Sequence, residues 1–351
     1  MRRALSINEC VREPDLPEKT VVAIVGYGYW GPNILRNYIE LGDARVKWVC
    51  DARPDRCAAV LQRYPSVQVS EAFDEVLADP DVDAVVIATP ISTHHALTMK
   101  ALEAGKHVFV EKPMACSVDE CDAMAQAAQT RNLTLMVGHT FVYSPAVRAV
   151  KGLIDSGELG DIYFISASRV NLGLHQSDVS VVWDLVPHDA SILQYWLEEA
   201  PASVSATGRS CINNGIPDVA FLHLGYESGV VAELQVSWLS PVKLRRTMVV
   251  GSRKMLIYDD TENVEKVKVF DHGVDFREPR TFGEFQLSYR TGDIVSPKLE
   301  GIEPLFIEAS HFVECVRTGT RPVTDAAAGR AVVSVLEAAE RSLVGGCGES
   351  V

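Results

Sequence analysis

Nowhere in the 351 residues is there an uninterrupted apolar stretch approaching the roughly 20 residues that a membrane-crossing helix needs. Residues 1–19 carry arginines at their start but no apolar core, so they do not resemble a secretory signal, and a polar N-terminal arm is expected there. Eight cysteines are present without a single C-x-x-C pair or Cys/His cluster, which speaks against a disulfide framework and against zinc or any other metal centre. All eight are expected to be reduced thiols of a cytoplasmic protein. Positive charge is in deficit, 33 basic against 47 acidic residues, and the resulting formal charge of −14 disfavours nucleic acid and anionic membrane as partners. Solubility alone accounts for that balance; an acidic cleft that draws in a cationic substrate is the sharper alternative. Internal repeats and low-complexity tracts are absent too. What remains is a chain long enough for two domains, with 47% apolar residues, as is ordinary for a soluble enzyme.

The stretch that organises the chain lies at residues 21–51. Residues 21–25 have the length and β-branching of a buried strand, and the sequence GYGYWG that follows meets G-x-G-x-x-G between a strand and a helix. Gly26 permits a tight turn, Gly28 lets backbone approach a pyrophosphate, and Gly31 lets the helix sit close to the sheet, with Tyr29 and Trp30 carried on the loop. The unpaired N–H groups of the helix start would face the phosphates. A second apolar run, residues 46–50, ends at Asp51, twenty residues beyond Gly31, where a carboxylate can accept from an adenosine ribose. That reads as NAD. NADP is less favoured because Asp51 would repel a 2′-phosphate, although Arg53 leaves mixed use open.

The α/β alternation then continues. Helical patterns are expected at 54–64, 73–78, 93–104 and 117–131, and strands at 67–69, 83–89, 107–110 and 133–137. Six parallel strands with short crossovers make a doubly wound sheet, whose ligands sit at the carboxyl ends of the strands. Gly26, Asp51, Thr89, Lys112 and Gly138 all fall at such ends. After about residue 144 the pattern changes to a helix over 145–156, a long strand over 162–170, an apolar helix around 188–197 and successive strands between 204 and 269. Strands following strands indicate a mostly antiparallel open sheet in a second, α+β domain. Alternation in residues 231–238 suggests one sheet face on helices and one free to meet another subunit. Residues 270–302 read as a polar loop, and two helices are expected over 305–317 and 325–343. The expected divisions are thus 1–19, 20–144, 145–304 and 305–351, the last being helices that return to the core.

Two groups of residues carry chemistry. Lys112, between Glu111 and Pro113 at the end of a central strand, lies where an ammonium could stabilise a developing alkoxide. In WDLVPHD at residues 183–189, Asp184 and His188 are four apart, which puts them on one helical face if the first turn includes both. Pro187 suits that only near a helix start. A carboxylate beside an imidazole would set its tautomer and favour its protonated form. A helix cap beside an ordinary histidine is the plainer alternative.

The glycine loop GYGYWGPN, ATP at residues 88–90 with His94 after it, AGKHVFVEKP at 104–113 and WDLVPHD at 183–189 resemble the glucose-fructose oxidoreductase / inositol dehydrogenase / MocA (Gfo/Idh/MocA) family over roughly residues 20–343. GHTF at 138–141 and SPAVR at 144–148 resemble the branch of sugar-nucleotide and natural-product sugar dehydrogenases. The resemblance implies Lys112 as the substrate-activating lysine, His188 as the acid/base and Asp184 as its carboxylate partner. It implies Ala88, Thr89, Pro90 and His94 on the nicotinamide side of NAD, with Glu111 near its ribose. His139, Tyr143, Asn171 and Gln176 are expected near the sugar, and Lys243, Arg245 and Arg246 could serve a diphosphate if the sugar is nucleotide-linked. The large sheet would mediate homodimers or homotetramers. The implied activity is NAD-dependent oxidation of a ring secondary hydroxyl of a pyranose, expected at C3, on an aminoglycoside, an amino sugar or a sugar nucleotide. Two other functions fit the scaffold: a glycoside hydrolase that oxidises C3 transiently, and a non-catalytic NAD-binding regulator.

Overall fold

A computed structural model describes residues 19–173, 179–212, 215–276, 287–345 and 348–350. Residues 1–18, the bulk of the expected arm, and Gln176 lie outside the described residues.

The first half is a six-stranded, wholly parallel sheet built from β1 (Thr20–Val25), β2 (Ala44–Cys50), β3 (Gln68–Ser70), β4 (Ala84–Ile87), β5 (His107–Glu111) and β6 (Leu135–Gly138), in the order β3-β2-β1-β4-β5-β6. Central strands β1 and β4 are buried along their whole length, as near-continuous runs of Val, Ile and Ala require when helices cover both faces. The crossovers are α1 (Gly31–Glu40), α2 (Pro54–Arg63), α3 (Phe73–Ala78), α4 (His94–Glu103) and α5 (Val118–Thr130). Ser117 caps α5 by accepting the Glu120 N–H at 3.2 Å. Strand order reverses between β1 and β4, so the crevice for a ligand opens beside Gly26 and Thr89.

Next come α6 (Pro145–Asp155), β7 (Ile162–Val170), α7 (Val181–Leu197), β8 (Ser203–Arg209), β9 (Val219–Gly225), β10 (Val231–Ser237), β11 (Leu244–Gly251), β12 (Met255–Asp259), β13 (Val267–Phe276) and β14 (Leu287–Val295). With the two-residue β15 (Glu349–Ser350) they form a nine-stranded sheet, antiparallel except where β10 pairs with β7. In β10, Ala232, Leu234 and Val236 are buried while Val231 and Glu233 are exposed, the two-faced alternation expected of this sheet. Together with α8 (Pro304–Thr318) and α9 (Ala326–Gly345), these elements give a Rossmann sheet followed by a large, mostly antiparallel sheet.

Two expectations are corrected. Residues 270–302 contain the β13–β14 hairpin rather than a continuous loop; β14 is exposed along most of its length, so it never needed the apolar alternation that marks a half-buried strand. The helix expected around His188 begins at Val181, which places Pro187 inside it and not at its start. Proline there removes the N–H that the Trp183 carbonyl would accept and crowds that turn. Tertiary burial of Val181, Val182, Val186, Ile192 and Leu193 outweighs the cost.

The last helix joins the halves. α9 packs against α5, α7 and β6. Just before it, Thr324 accepts the Val137 N–H at 2.8 Å and donates its hydroxyl to the Val137 carbonyl at 2.7 Å, while Asp325 bridges Met136. The outer edge of β6 is covered in this way.

Candidate functional site

The glycine loop leaves β1 at Gly26, whose φ of +97° is left-handed; a Cβ there would lie 2.6 Å from the Ala88 carbonyl oxygen at the end of β4. A Cβ on Gly31 would meet the Gly26 carbonyl oxygen at 2.5 Å, so the start of α1 can sit this close to the loop only without a side chain. Around Gly28 nothing lies within 4 Å of such an atom, which leaves open space where backbone can approach a ligand. Tyr29 stands out into solvent and Trp30 is at the surface. Asp51 accepts the Tyr27 N–H at 2.6 Å through Oδ2 and the Arg53 N–H at 2.9 Å through Oδ1, which fixes the carboxylate at the mouth of the loop. The Arg53 guanidinium pairs with Asp55. An open glycine cradle, a helix start and an anchored acid fit the diphosphate and ribose of a dinucleotide.

Across the crevice, Ala88 and Thr89 are partly buried and Pro90 is exposed. His94, expected beside a nicotinamide, is 1% exposed and offers that ring no surface. Its Nδ1 lies 2.8 Å from the Pro113 carbonyl oxygen and its Nε2 2.9 Å from that of Thr89, so it ties the end of β4 to the turn after β5. Glu111 accepts the Lys112 N–H at 3.2 Å, and burial, only partly opposed by Lys112 and the indole of Trp30, pushes its carboxyl up to about 7. Behind it, burial and the neighbouring Glu111 hold the Glu308 carboxyl well above its ordinary range, and Glu308 accepts the Thr140 hydroxyl at 2.7 Å.

Lys112 reaches from β5 to α7. Its Nζ donates to the Asp184 carbonyl oxygen at 2.9 Å and lies 3.6 Å from Asp184 Oδ1. The other carboxylate oxygen accepts the Trp238 indole N–H at 3.0 Å. The carboxylate expected to partner His188 is therefore engaged by Lys112 and Trp238. Burial first, then the charges of Lys112, Arg169 and Arg245, hold His188 well below its ordinary value. The environment thus favours neutral imidazole, the reverse of the expectation from spacing. The His188 ring stands edge-on to Phe141, with centroids 5.0 Å apart. The guanidinium carbons of Arg169 and Arg245 lie 4.5 and 5.7 Å from the centroid of the Phe141 ring.

Among the expected sugar contacts, Asn171 is partly buried at the end of β7, Lys243 is exposed just before β11, and Arg245 lies 3.3 Å from Asp260. Neighbouring Arg246 instead binds Asp259, as alternation along β11 demands. Tyr143 is a correction: it is fully buried and its hydroxyl is 2.9 Å from Thr324 Oγ1, so it belongs to the core. His139 is 2% exposed and lines a separate cavity of about 350 Å³ on the flank of β6. Sequence reading missed Trp238, Arg169 and Asp189; the HD dipeptide at 188–189 was the one available signal for the last. No cluster of three or more metal-ligating side chains occurs among the described residues, nor is any described helix long and apolar enough to cross a membrane.

Residues 20–139 match the family described as "Oxidoreductase family, NAD-binding Rossmann fold", and residues 147–257 match "GFO/IDH/MocA C-terminal domain". The chain is 30% identical over 316 residues to scyllo-inositol 2-dehydrogenase (NAD(+)) of Bacillus subtilis, covering 86% of this chain and 87% of that one. It is 29% identical over 232 residues to UDP-N-acetylglucosamine 3-dehydrogenase of Acidithiobacillus ferrooxidans, 64% and 69% of the two chains. The fold is shared with GenD2 from gentamicin A biosynthesis, solved in complex with NAD, at a TM-score of 0.81 and 24% identity over 97% of this chain and 98% of that one. With its glycine cradle, strand-end lysine and two-sheet architecture, the chain belongs to the Gfo/Idh/MocA family of NAD-binding oxidoreductases.

Proposed function

We propose that this enzyme oxidises a ring secondary hydroxyl of a pyranose, at C3, to the ketone. The observation that carries the reading is the contact of Lys112 Nζ with Asp184 on the helix that also bears His188, at the carboxyl ends of the parallel strands. NAD, held by Gly26, Gly28, Gly31 and Asp51, supplies when bound the acceptor for the hydride. Lys112 keeps its ammonium directed at the substrate oxygen, where it stabilises the developing alkoxide. Neutral His188 takes the hydroxyl proton; burial and the surrounding cations keep its imidazole unprotonated, and so free to accept that proton. Asp184 orients Lys112 rather than His188, and Trp238 fixes Asp184.

The exposed Lys243 and the half-buried Arg245, two residues apart by the cleft, favour a nucleotide-linked sugar over a polycationic aminoglycoside, as does the likeness to UDP-N-acetylglucosamine 3-dehydrogenase. Exposed Tyr163, Phe221, Val231, Tyr289 and Ile294 on strands of the large sheet support assembly into a homodimer or homotetramer through that sheet. The test is NADH absorbance together with product mass, using the purified protein, NAD and two panels, nucleotide-linked hexoses and aminoglycosides. NADH with loss of two hydrogens from a nucleotide-linked hexose is expected. Cleavage of a glycosidic bond without NADH would replace this reading by the hydrolase, and the same signal from the aminoglycoside panel alone would reverse the substrate class.

A further inference from the structure

In the antiparallel register of β11 with β7, Arg245 stands directly opposite Arg169. Like charges so placed repel, and negative groups must answer them. Arg169 is answered in full, because buried Asp189 accepts two hydrogen bonds from its Nε and Nη2. Lys112, the other cation on this side of His188, has Asp184 Oδ1 at 3.6 Å. Arg245 has less. Among the described residues its one carboxylate is Asp260, reached by a single hydrogen bond from Nη1 at 3.3 Å, against about 2.7–2.9 Å for a charge-assisted bond. Lys266 shares that carboxylate, with its Nζ 3.1 Å from Asp260 Oδ1. The row from β7 across β11 to the end of β12 thus sets three cations, Arg169, Arg245 and Lys266, against two carboxylates, Asp189 and Asp260. One positive charge is in excess there, in a chain whose formal charge is −14. The Arg245 side chain is 36% exposed, whereas that of Arg169 is 4% exposed, so the excess is open to a ligand at Arg245. Its guanidinium carbon lies 5.7 Å from the Phe141 centroid, and that ring lies 5.0 Å from the His188 ring. A single aromatic ring separates the unanswered charge from the proposed base.

We propose that Arg245 is a specificity-determining residue that receives a carboxylate borne by the pyranose ring itself, so that the substrate is a sugar acid of the hexuronate class. This rests on the dehydrogenase reading above. The Nε–Nη2 edge of Arg245, the same edge that Arg169 turns to Asp189, makes no hydrogen bond with any described residue. That planar edge matches the two oxygens of a carboxylate through parallel N–H···O bonds. One excess charge also matches one carboxylate. On a hexopyranuronate the acid group hangs on C5, two bonds round the ring from C3, so a single cleft can meet the reacting hydroxyl at His188 and the acid at Arg245. The bound carboxylate then relieves the repulsion between Arg245 and Arg169. A nucleotide diphosphate leaves the sugar from C1 and carries more than one charge; the exposed Lys243, just outside β11, remains for it.

The test is calorimetric titration of the NAD-bound protein with two matched pairs, UDP-glucuronate against UDP-glucose and glucuronate against glucose, whose members differ only at C6. The acid is expected to bind about tenfold tighter than its neutral partner. Arg245→Gln should abolish that preference and leave the affinity for the neutral member unchanged. Arg245→Lys should restore only part of it, because an ammonium lacks the planar fork. Lys266→Gln, which gives Asp260 wholly to Arg245, should narrow the preference without touching the arginine. Equal affinities within both pairs would overturn the proposal, as would a preference that survives Arg245→Gln. Calorimetry needs no turnover, so the dehydrogenase reading stands or falls separately. Tight binding of the acid without NADH would remove that reading and leave the carboxylate site; NADH formed from UDP-glucose as readily as from UDP-glucuronate would do the reverse.

Discussion

Asp189 receives two hydrogen bonds from Arg169, 2.7 Å from Nε and 2.9 Å from Nη2, and so clamps the turn of α7 that carries His188 onto β7. Both partners are at most 5% exposed. Asp189→Ala leaves a buried guanidinium without its counter-charge and is expected to cost about 3–5 kcal/mol. The double variant Arg169→Met with Asp189→Leu should recover most of that loss. Urea unfolding midpoints of the three proteins check it; a midpoint unchanged by Asp189→Ala would deny the clamp.

Lys112→Ala should lower kcat by at least about a hundredfold, roughly 2.7 kcal/mol of barrier, while NAD affinity stays within about twofold. Lys112→Arg should remain slow, because a planar guanidinium cannot reproduce the contacts of the ammonium to both the carbonyl and the carboxylate of Asp184. Stopped-flow NADH formation and a fluorescence titration with NAD separate the two effects.

His188 is held neutral by burial and by Lys112, Arg169 and Arg245, so its acid limb lies below the ordinary histidine value. Activity is therefore expected to stay level from about pH 8 down to about pH 6. Arg245→Gln removes one of the cations and should move the acid limb of kcat/KM upward, by up to about one pH unit. A downward movement would contradict the electrostatic assignment.

Glu111 gives a stability signature of definite sign. Its folded-state carboxyl titrates near 7 and its unfolded one near the ordinary 4.5. Native protein therefore holds the extra proton between those values, and the contribution is complete below the lower one and lost as pH rises through the higher. Glu111→Gln in the protein without cofactor should raise stability at pH 8 by on the order of 1–2 kcal/mol and leave it nearly unchanged at pH 4. Thermal melts at the two pH values would show it.

Asp51→Ala should weaken NAD more than NADP, because it removes an acceptor for the ribose hydroxyls and a charge that repels the 2′-phosphate. Arg53, now hydrogen-bonded through its N–H to Asp51, loses that tie as well. Parallel Kd measurements for both dinucleotides decide; an unchanged preference would remove Asp51 from the ribose.

The first sheet was legible because each of its strands but β3 stops at a residue with a chemical reason to be there: Gly26, Asp51, Thr89, Lys112 and Gly138. Burial on both faces also makes such strands unbroken apolar runs. The outer hairpin was not legible, since a strand exposed on both faces has no pattern to show. Spacing brought Asp184 and His188 together on α7, yet it could not reveal that Lys112 and Trp238, 72 and 54 positions away, compete for the same carboxylate. His94 and Tyr143 illustrate the same limit: a polar side chain near a cleft in sequence becomes a strut or a core residue when buried carbonyls and hydroxyls need partners.

The covering of β6 by Thr324 and Asp325, and the seating of α9 against both α5 and α7, set an order on the birth of the molecule. A ribosome delivers the strands of the first sheet long before the segment that seals its open edge. Until that last stretch emerges, the nascent domain carries a bare β6 edge that could recruit a foreign strand. Chains stopped ahead of Thr324 should consequently be clients of chaperones and prone to aggregate, even with every residue of the glycine cradle and Lys112 already made.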